Sequence, residues 1–218
     1  QKVFEEVTAA GDSAVVITIS SKLSGTYQSA CIAAADFDNI FVVDSMTAAI
    51  GSGILAEHAL KLAEAGISAA QIAEELEEKK ADVCLIALLD TLEYLKKGGR
   101  ISNLKAAVGT VLQIKPLLKG DPEGKIVCFA QVRGRKKSIE LMAEQYDRYV
   151  EHAECETIGI AHGDCPEDAE ALIALLNRNH PPKNIINACY EPMTGAHVGP
   201  GALALFFYGK KEFRQATK

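Results

Sequence analysis

Several features that would indicate a function are missing from this sequence. It contains no run of 18 uninterrupted apolar residues, so it predicts no membrane span. The opening segment QKVFEEVTAAGD has no apolar core of a signal peptide, so no secretory signal is predicted there. GxGxxG after a strand and GxxxxGK[ST] are both absent, which argues against the usual nucleotide-binding loops. GxSxG is absent too, which argues against the serine elbow of many hydrolases.

The six cysteines, at positions 31, 84, 128, 155, 165 and 189, form no CxxC pair. Most lie in apolar stretches such as VCLIALL, IVCFA and INACY, which predicts buried, reduced thiols in a cytoplasmic protein. His152-x-x-Cys155 and His162-x-x-Cys165 have the residue types of a zinc site. Because the first pair falls at a predicted helix end and the second follows a strand, we expect no metal and no cofactor.

Apolar residues make up 48% of the 218 residues, enough for a sizeable core, and the net charge is -6. That charge argues against nucleic acid as the main partner. VRGRKKS (132–138) nevertheless places four cations within five residues. Because an acidic helix is predicted to follow, we favour a protein-facing surface or a solvated turn over a nucleic-acid site.

The first 80 residues alternate between strand and helix patterns. AVVITIS (14–20) and IFVVDS (40–45) are predicted strands, and helices are predicted over 25–35 and 47–66. Ser68 is expected to cap the next helix. Apolar runs separated by helices favour a parallel sheet with helices packed on it. Residues 1–12 have the pattern of a helix end, so we expect residues upstream of this sequence.

After residue 80 the pattern changes. VCLIALLD (83–90) is a predicted strand, and two strands are predicted to meet at the turn GDPEGK. Further strand and helix patterns follow up to ALALFFYG. We therefore predict a mixed sheet of about six strands with helices mostly on one side. The sequence divides into two α/β domains, 1–79 and 80–218.

Three stretches suit the binding of an anion. In SSKLSGTYQSA, Ser24 or Thr26 is placed to cap a helix whose remaining N–H groups attract negative charge, although a plain N-cap fits equally. In LKKGGRISN, Arg100 follows a double glycine, as a bidentate anion ligand or as part of a solvated helix end. In TGAHVGPG, a glycine-rich turn is expected to aim His197.

A fourth stretch, DSMTAAIGSG (44–53), follows the second predicted strand. Its small residues admit either a ligand at the carboxyl edge of the sheet or close packing of a helix on that sheet. The sequence leaves both readings open.

Taken together, SSKLSGTYQSA, VVDSMTAAIGSG, LEYLKKGGRIS, LQIKPLL with GKI, VRGRKKSI and AHVGPGALALFF resemble the DegV family, in order and over nearly the whole chain. The resemblance implies an N-terminal parallel-sheet domain and a C-terminal domain with a mixed six-stranded sheet. Family members begin with two further strands and a Thr-Ser loop, so residues 1–79 correspond to an N-terminal domain truncated at its start.

The resemblance also implies a function. Characterised members are fatty-acid-binding subunits of bacterial fatty acid kinases, which have no catalytic motif of their own. They present a long-chain fatty acid to a partner kinase that makes the acyl-phosphate for phospholipid synthesis, and transient contact with a membrane is compatible with this role.

Individual residues match the family pattern. Ser24 and His197 match the residues that bind the fatty-acid carboxylate, and Arg100 resembles an arginine that supports them. Arg133 resembles a basic position near the head group or the kinase-docking surface, and Thr26 lies beside Ser24.

Two alternatives remain at this point. One is a small-ligand or phosphotransfer protein related in fold to dihydroxyacetone kinase. The other is a hydrolase with Ser24 as nucleophile and His197 as base.

Overall fold

The computed structural model describes residues 1–101 and 114–215. Residues 102–113, which include the end of LKKGGRISN and the start of LQIKPLL, lie outside the described residues, as do residues 216–218. Within the described ranges, no helix combines the length and the apolar character that a bilayer crossing needs.

Helices and strands follow the sequence patterns closely. The strands are β1 (Ala14–Thr18), β2 (Ile40–Asp44), β3 (Val83–Leu88), β4 (Ile114–Gly120), β5 (Ile126–Arg133), β6 (Thr157–His162), β7 (Asn184–Cys189) and β8 (Leu203–Tyr208). The helices are α1 (Lys2–Ala9), α2 (Thr26–Ala34), α3 (Ile50–Glu64), α4 (Ala69–Lys79), α5 (Glu93–Lys97), α6 (Arg135–Tyr149), α7 (Pro166–Asn179), α8 (Pro192–Val198) and α9 (Glu212–Gln215). Ser68 caps α4 through a capping box with Gln71, which confirms the predicted cap.

The strands form two sheets. β1 and β2 pair in parallel, with Ala14 opposite Ile40 and Thr18 opposite Asp44. The other sheet has the order β5-β4-β3-β8-β6-β7, in which β6 and β7 are parallel and the remaining pairs are antiparallel. The α/β class, the mixed sheet of six strands and the hairpin at GDPEGK are therefore confirmed.

The strand directions bring several loops together along one edge of the six-stranded sheet, namely the edge formed by strand ends and not by an outer strand. β3, β5, β6 and β7 end at this edge and β8 begins there, as the pairing directions require. The loops that follow β3 and β7 carry α5 and α8, which contact each other. Residues far apart in sequence thus meet at this edge.

The two faces of this sheet have different partners. Alternate residues of β3 and β8, such as Ile86 and Leu205, pack against α6 and α7. The intervening residues, such as Leu85 and Phe206, face α3 and the residues around β2. Because successive side chains of a strand point to opposite faces, one sheet serves two cores.

Gly51 marks a close approach of α3 to this sheet. A Cβ atom built on Gly51 would lie 2.4 Å from Thr47 Oγ1 and 2.9 Å from Phe206 Cδ1. Close helix packing therefore accounts for this glycine of DSMTAAIGSG.

The buried-thiol expectation is only partly right. Cys84 is buried, but Cys155 and Cys189 are exposed, and all six cysteines are unpaired. Cys189 is exposed because β7 is the last strand of its sheet and most of its residues face solvent. An apolar run predicts a strand, but it does not tell whether that strand lies at an edge.

The two sheets lie on either side of the predicted boundary near residue 80. α4 ends at Lys79, and a 3-10 turn at Lys80–Asp82 leads into β3. The division into domains 1–79 and 80–218 stays a prediction.

Arg214, on α9, links segments from both sides of that connection. Its side chain is 4% exposed and donates five hydrogen bonds to the backbone carbonyls of Met46, Lys80, Val83 and Asp121, over 2.8–3.3 Å. Burial lowers the pKa of this guanidinium, which still remains charged because arginine does not lose its proton in proteins. These bonds compensate its desolvation and join the loop after β2 to the β4–β5 turn.

Replacing Arg214→Met should lower the free energy of unfolding by at least about 1–3 kcal/mol, because buried carbonyls lose their donors. Urea denaturation measures the change. Arg178→Met, at an exposed position on α7, is the matched control and should stay within about 0.5 kcal/mol of the parent protein. Equal denaturation midpoints for Arg214→Met and the parent protein would contradict this assignment.

Candidate functional site

A largely apolar cavity of about 180 Å³ opens between the β1–α2 loop, the start of α3, the six-stranded sheet and the α5 and α8 helices. A cavity for one water needs only about 10–15 Å³, so this one has room for a larger ligand. The sheet supplies apolar wall residues, which are Leu85, Ala87, Leu118, Ile126 and Phe206. Four of the predicted site residues also line it, namely Ser24, Thr26, Arg100 and His197.

The β1–α2 loop is held by hydrogen bonds near its start, at Ser20. Ser20 Oγ is buried and donates to the Gly124 carbonyl at 2.7 Å, while the Ser20 carbonyl accepts from the N–H groups of Leu23 and Ser24. Gly124 leaves just enough space, since a Cβ there would lie 2.5 Å from Ser20 Oγ. The β4–β5 turn therefore fixes the position of Ser24, a contact that sequence reasoning missed.

Within the loop, the hydroxyls of Ser24 and Thr26 form a hydrogen bond of 2.8 Å, and Ser24 Oγ accepts from the Thr26 N–H at 3.3 Å. Gly25 occupies the N-cap position of α2 and no side chain caps this helix, so the prediction that Ser24 or Thr26 is the cap is wrong. The first N–H groups of a helix have no acceptor within the helix, and its N-terminus attracts anions. This geometry gives the loop hydroxyl and amide donors beside the cavity.

The loop after β2 forms a second wall. Asp44 Oδ1 accepts from the N–H groups of Ser21, at 3.1 Å, and Met46, at 3.0 Å, which ties this loop to the β1–α2 loop. Ala48 and Ala49 line the cavity. Ala49 has φ 47° and ψ -130°, a strained backbone for a residue with a Cβ. The small-residue stretch therefore contributes both cavity wall, through the two alanines, and helix packing, through Gly51.

Arg100 joins the two sides of the cavity. Its Nε donates to the Leu23 carbonyl at 3.1 Å, next to Ser24 in sequence, and its Nη1 donates to the Gly98 carbonyl at 2.5 Å. These bonds use two of the five guanidinium N–H groups. The side chain is exposed, so a bound anion can reach it.

His197 lies on helix α8, and the expectation of a glycine-rich turn at this residue is wrong. The glycines at 199 and 201, with φ 82° and 70°, follow the helix. Glu191 caps α8 by accepting from the N–H groups of Met193 and Thr194 and from the Thr194 hydroxyl. These hydrogen bonds, above all the one from the hydroxyl, lower the pKa of Glu191. Pro192, at the first helical position, is the sequence signal that could have indicated this helix.

Tyr190, just before α8, is another cavity residue that sequence reasoning missed. Burial raises the pKa of its phenol further above physiological pH, so the cavity wall is uncharged at this residue. Met193, Thr194 and Val198 of α8 also line the cavity. No motif marks these residues, because their place depends on where α8 packs.

Arg133 does not line this cavity; it is exposed at the end of β5. In the same VRGRKKS stretch, Arg135 forms ion pairs with Asp90, at 3.1 Å, and Asp168, at 2.7 Å. Part of this basic stretch is therefore neutralised within the protein.

The two His-x-x-Cys pairs considered as zinc ligands, His152/Cys155 and His162/Cys165, are not grouped as a metal site. The Cys165 N–H donates to His162 Nδ1 at 3.3 Å, and burial raises the pKa of the Cys165 thiol. Across residues 1–101 and 114–215, no three His, Cys, Asp or Glu side chains are grouped to hold a metal ion.

A comparison with protein families matches residues 1–210 to the family described as "Uncharacterised protein, DegV family". The chain belongs to the DegV family. A DegV domain-containing protein of Clostridium perfringens is 37% identical over 212 residues, which cover 94% of this chain and 73% of that protein.

Solved structures of the family are also similar. The structure reported as fatty acid binding of a DegV family protein from Thermus thermophilus has a TM-score of 0.88 and 30% identity, over 96% of this chain and 75% of that one. A DegV family protein from Ruminococcus gnavus, refined with vaccenic acid, has a TM-score of 0.85 and 25% identity, over 94% and 75% of the two chains.

Proposed function

We propose that this protein binds a long-chain fatty acid in the cavity, with its carboxylate at Ser24, Arg100 and His197 and Thr26 adjacent. The observation that carries the proposal is that these residues, from both halves of the chain, line one apolar cavity. The similar proteins described with fatty acids support it. We propose that the boundary between the two domains lies near residue 80 of the sequence. The fatty acid would bind between these two domains.

The polar residues suit a carboxylate. Contacts link them in a series, because Arg100 bonds to the carbonyls of Leu23 and Gly98, and Gly98 touches His197. A carboxylate accepts several hydrogen bonds, and each bond to a charged group contributes about 1.5–3 kcal/mol. Hydroxyl, guanidinium and imidazole donors therefore offer the head group a complete set of partners.

The apolar walls suit an acyl chain. Burial of a methylene contributes about 0.8 kcal/mol before ordering costs are counted. Leu85, Ala87 and Phe206 present such surface from the central strands β3 and β8. Most of the affinity should therefore come from the chain, and the selectivity for a carboxylate from the head group.

Extraction of purified protein into organic solvent, followed by mass spectrometry, should release a stoichiometric long-chain fatty acid. Ser24→Ala and His197→Ala should each raise the Kd for added vaccenic acid roughly 10- to 100-fold, because each loses a hydrogen bond to the carboxylate. Ser13→Ala and His180→Ala, both at exposed positions, are matched controls.

Absence of lipid, even after incubation with a fatty-acid mixture, would contradict the proposal. Binding of a small ketone without lipid would favour the protein related in fold to dihydroxyacetone kinase. Covalent labelling of Ser24 by a serine-reactive probe would favour a hydrolase.

Ala87→Leu tests the place of the acyl chain, because Ala87 is a small side chain in the cavity wall. The larger side chain should weaken the binding of vaccenic acid more than the binding of a short-chain acid, because the methylenes of the short acid do not extend as far into the cavity. Ala174→Leu, on the exposed side of α7, should leave both affinities unchanged. Equal losses for long and short acids would place the chain elsewhere.

We further propose that the protein is a non-catalytic carrier that presents the bound carboxylate to the catalytic subunit of a fatty acid kinase. In that reaction the carboxylate oxygen would attack the γ-phosphorus of ATP and ADP would leave. The family resemblance supports this role, and so does the exposure of Arg100 beside the cavity. Unpaired cysteines fit a cytoplasmic location, where the acyl-phosphate would supply phospholipid synthesis with transient membrane contact.

With such a kinase subunit, ATP and bound vaccenic acid, acyl-phosphate should form and be trapped by hydroxylamine as the hydroxamate. If Arg133 belongs to the docking surface, Arg133→Ala should raise the KM for the carrier about tenfold and leave fatty-acid affinity unchanged, because it removes an exposed cation only. Arg178→Ala is the control. No product with the parent protein would refute the carrier role, and an unchanged KM would refute docking at Arg133.

A further inference from the structure

The two glycines of KKGGR serve different purposes. Gly99 has φ 69°, and a Cβ atom there would meet nothing within 4 Å. Glycine is therefore favoured at this position by the left-handed backbone conformation and not by lack of space. Gly98 has φ -73° and ψ -10°, a right-handed conformation that any residue adopts. Backbone conformation therefore does not explain Gly98.

Side-chain space does explain it. A Cβ atom on Gly98 would lie 2.2 Å from His197 Nδ1 and 2.9 Å from His197 Cε1. Both distances are shorter than atoms in contact allow, and the Tyr94 carbonyl at 3.3 Å closes another side. The imidazole thus rests directly on the backbone of Gly98.

A second contact holds α8 on the same support. A Cβ atom on Gly199 would lie 2.4 Å from Tyr94 Cδ2, so the Tyr94 ring packs on the backbone just after α8. Tyr94 lies on α5 and Gly98 directly follows this helix, four residues later, so the two support neighbouring points at the C-terminal end of α8. His197 accordingly has little freedom to turn toward α5.

We propose that Gly98 is a positioning residue that holds the imidazole of His197 in the orientation for binding the fatty-acid carboxylate. This inference rests on the function proposed above. Because the Gly98 carbonyl also accepts from Arg100 Nη1, the same residue places a second member of the head-group site. A side chain at position 98 would displace His197 without removing any group that binds the ligand.

Gly98→Ala, His197→Ala and the double variant form a test cycle. Gly98→Ala should shift the imidazole NMR signals of His197, identified by their loss in His197→Ala, and raise the Kd for vaccenic acid roughly tenfold. The double variant should bind no more weakly than His197→Ala, because the added methyl group no longer meets a ring. Gly53→Ala on α3 is the matched control, because the atom nearest to the added methyl group is 3.9 Å away. It should change neither the His197 signals nor the Kd for vaccenic acid.

Unmoved His197 signals together with a Kd within about twofold of the parent would overturn the inference, as would losses that multiply in the double variant. If Gly98→Ala fails to fold, recovery of folding in the double variant supports the contact, and failure of both overturns it. If the parent protein binds no fatty acid, the proposed function fails, and the NMR and unfolding data decide the Gly98–His197 contact separately.

Discussion

A buried guanidinium connects the parts of this molecule that form the cavity. Arg214 donates to carbonyls in four places. These are the loop after β2, the connection before β3, the first residue of β3 and the β4–β5 turn. A charge in this position is costly unless every polar neighbour is arranged to accept from it. The arrangement therefore fixes these backbone segments relative to one another, and Phe213 beside it anchors α9 in the core under α6.

The cavity walls depend on the segments that Arg214 joins. The β4–β5 turn that accepts from Arg214 at Asp121 also accepts from Ser20 at Gly124. Ser20 in turn holds the loop of Ser24, and Asp44 holds the neighbouring loop against it. One series of hydrogen bonds, mostly to backbone atoms, thus leads from the last helix of the described chain to the carboxylate site proposed above.

Close backbone contacts complete the arrangement. Gly51 brings α3 against the sheet, Gly124 admits Ser20, and Gly98 admits His197. In each case the missing Cβ makes space for a side chain from another segment. A polar side chain held against backbone has few rotamers to lose on binding, which reduces the cost of association.

Local patterns in the sequence determined the strands, most helices, the hairpin turn and the residues suited to a carboxylate, because each depends on neighbours within a few positions. Ser24 and Arg100 carried recognisable signals in hydroxyl, glycine and cation content, whereas the glycines around His197 predicted a turn where the structure has helix α8. Packing alone decided that Cys189 lies on an edge strand, that Arg133 stays outside the cavity, and that Tyr190 lines it. Arg214, whose partners lie up to 168 positions away, shows the physical reason: a long-range contact leaves no periodic trace in the chain that makes it.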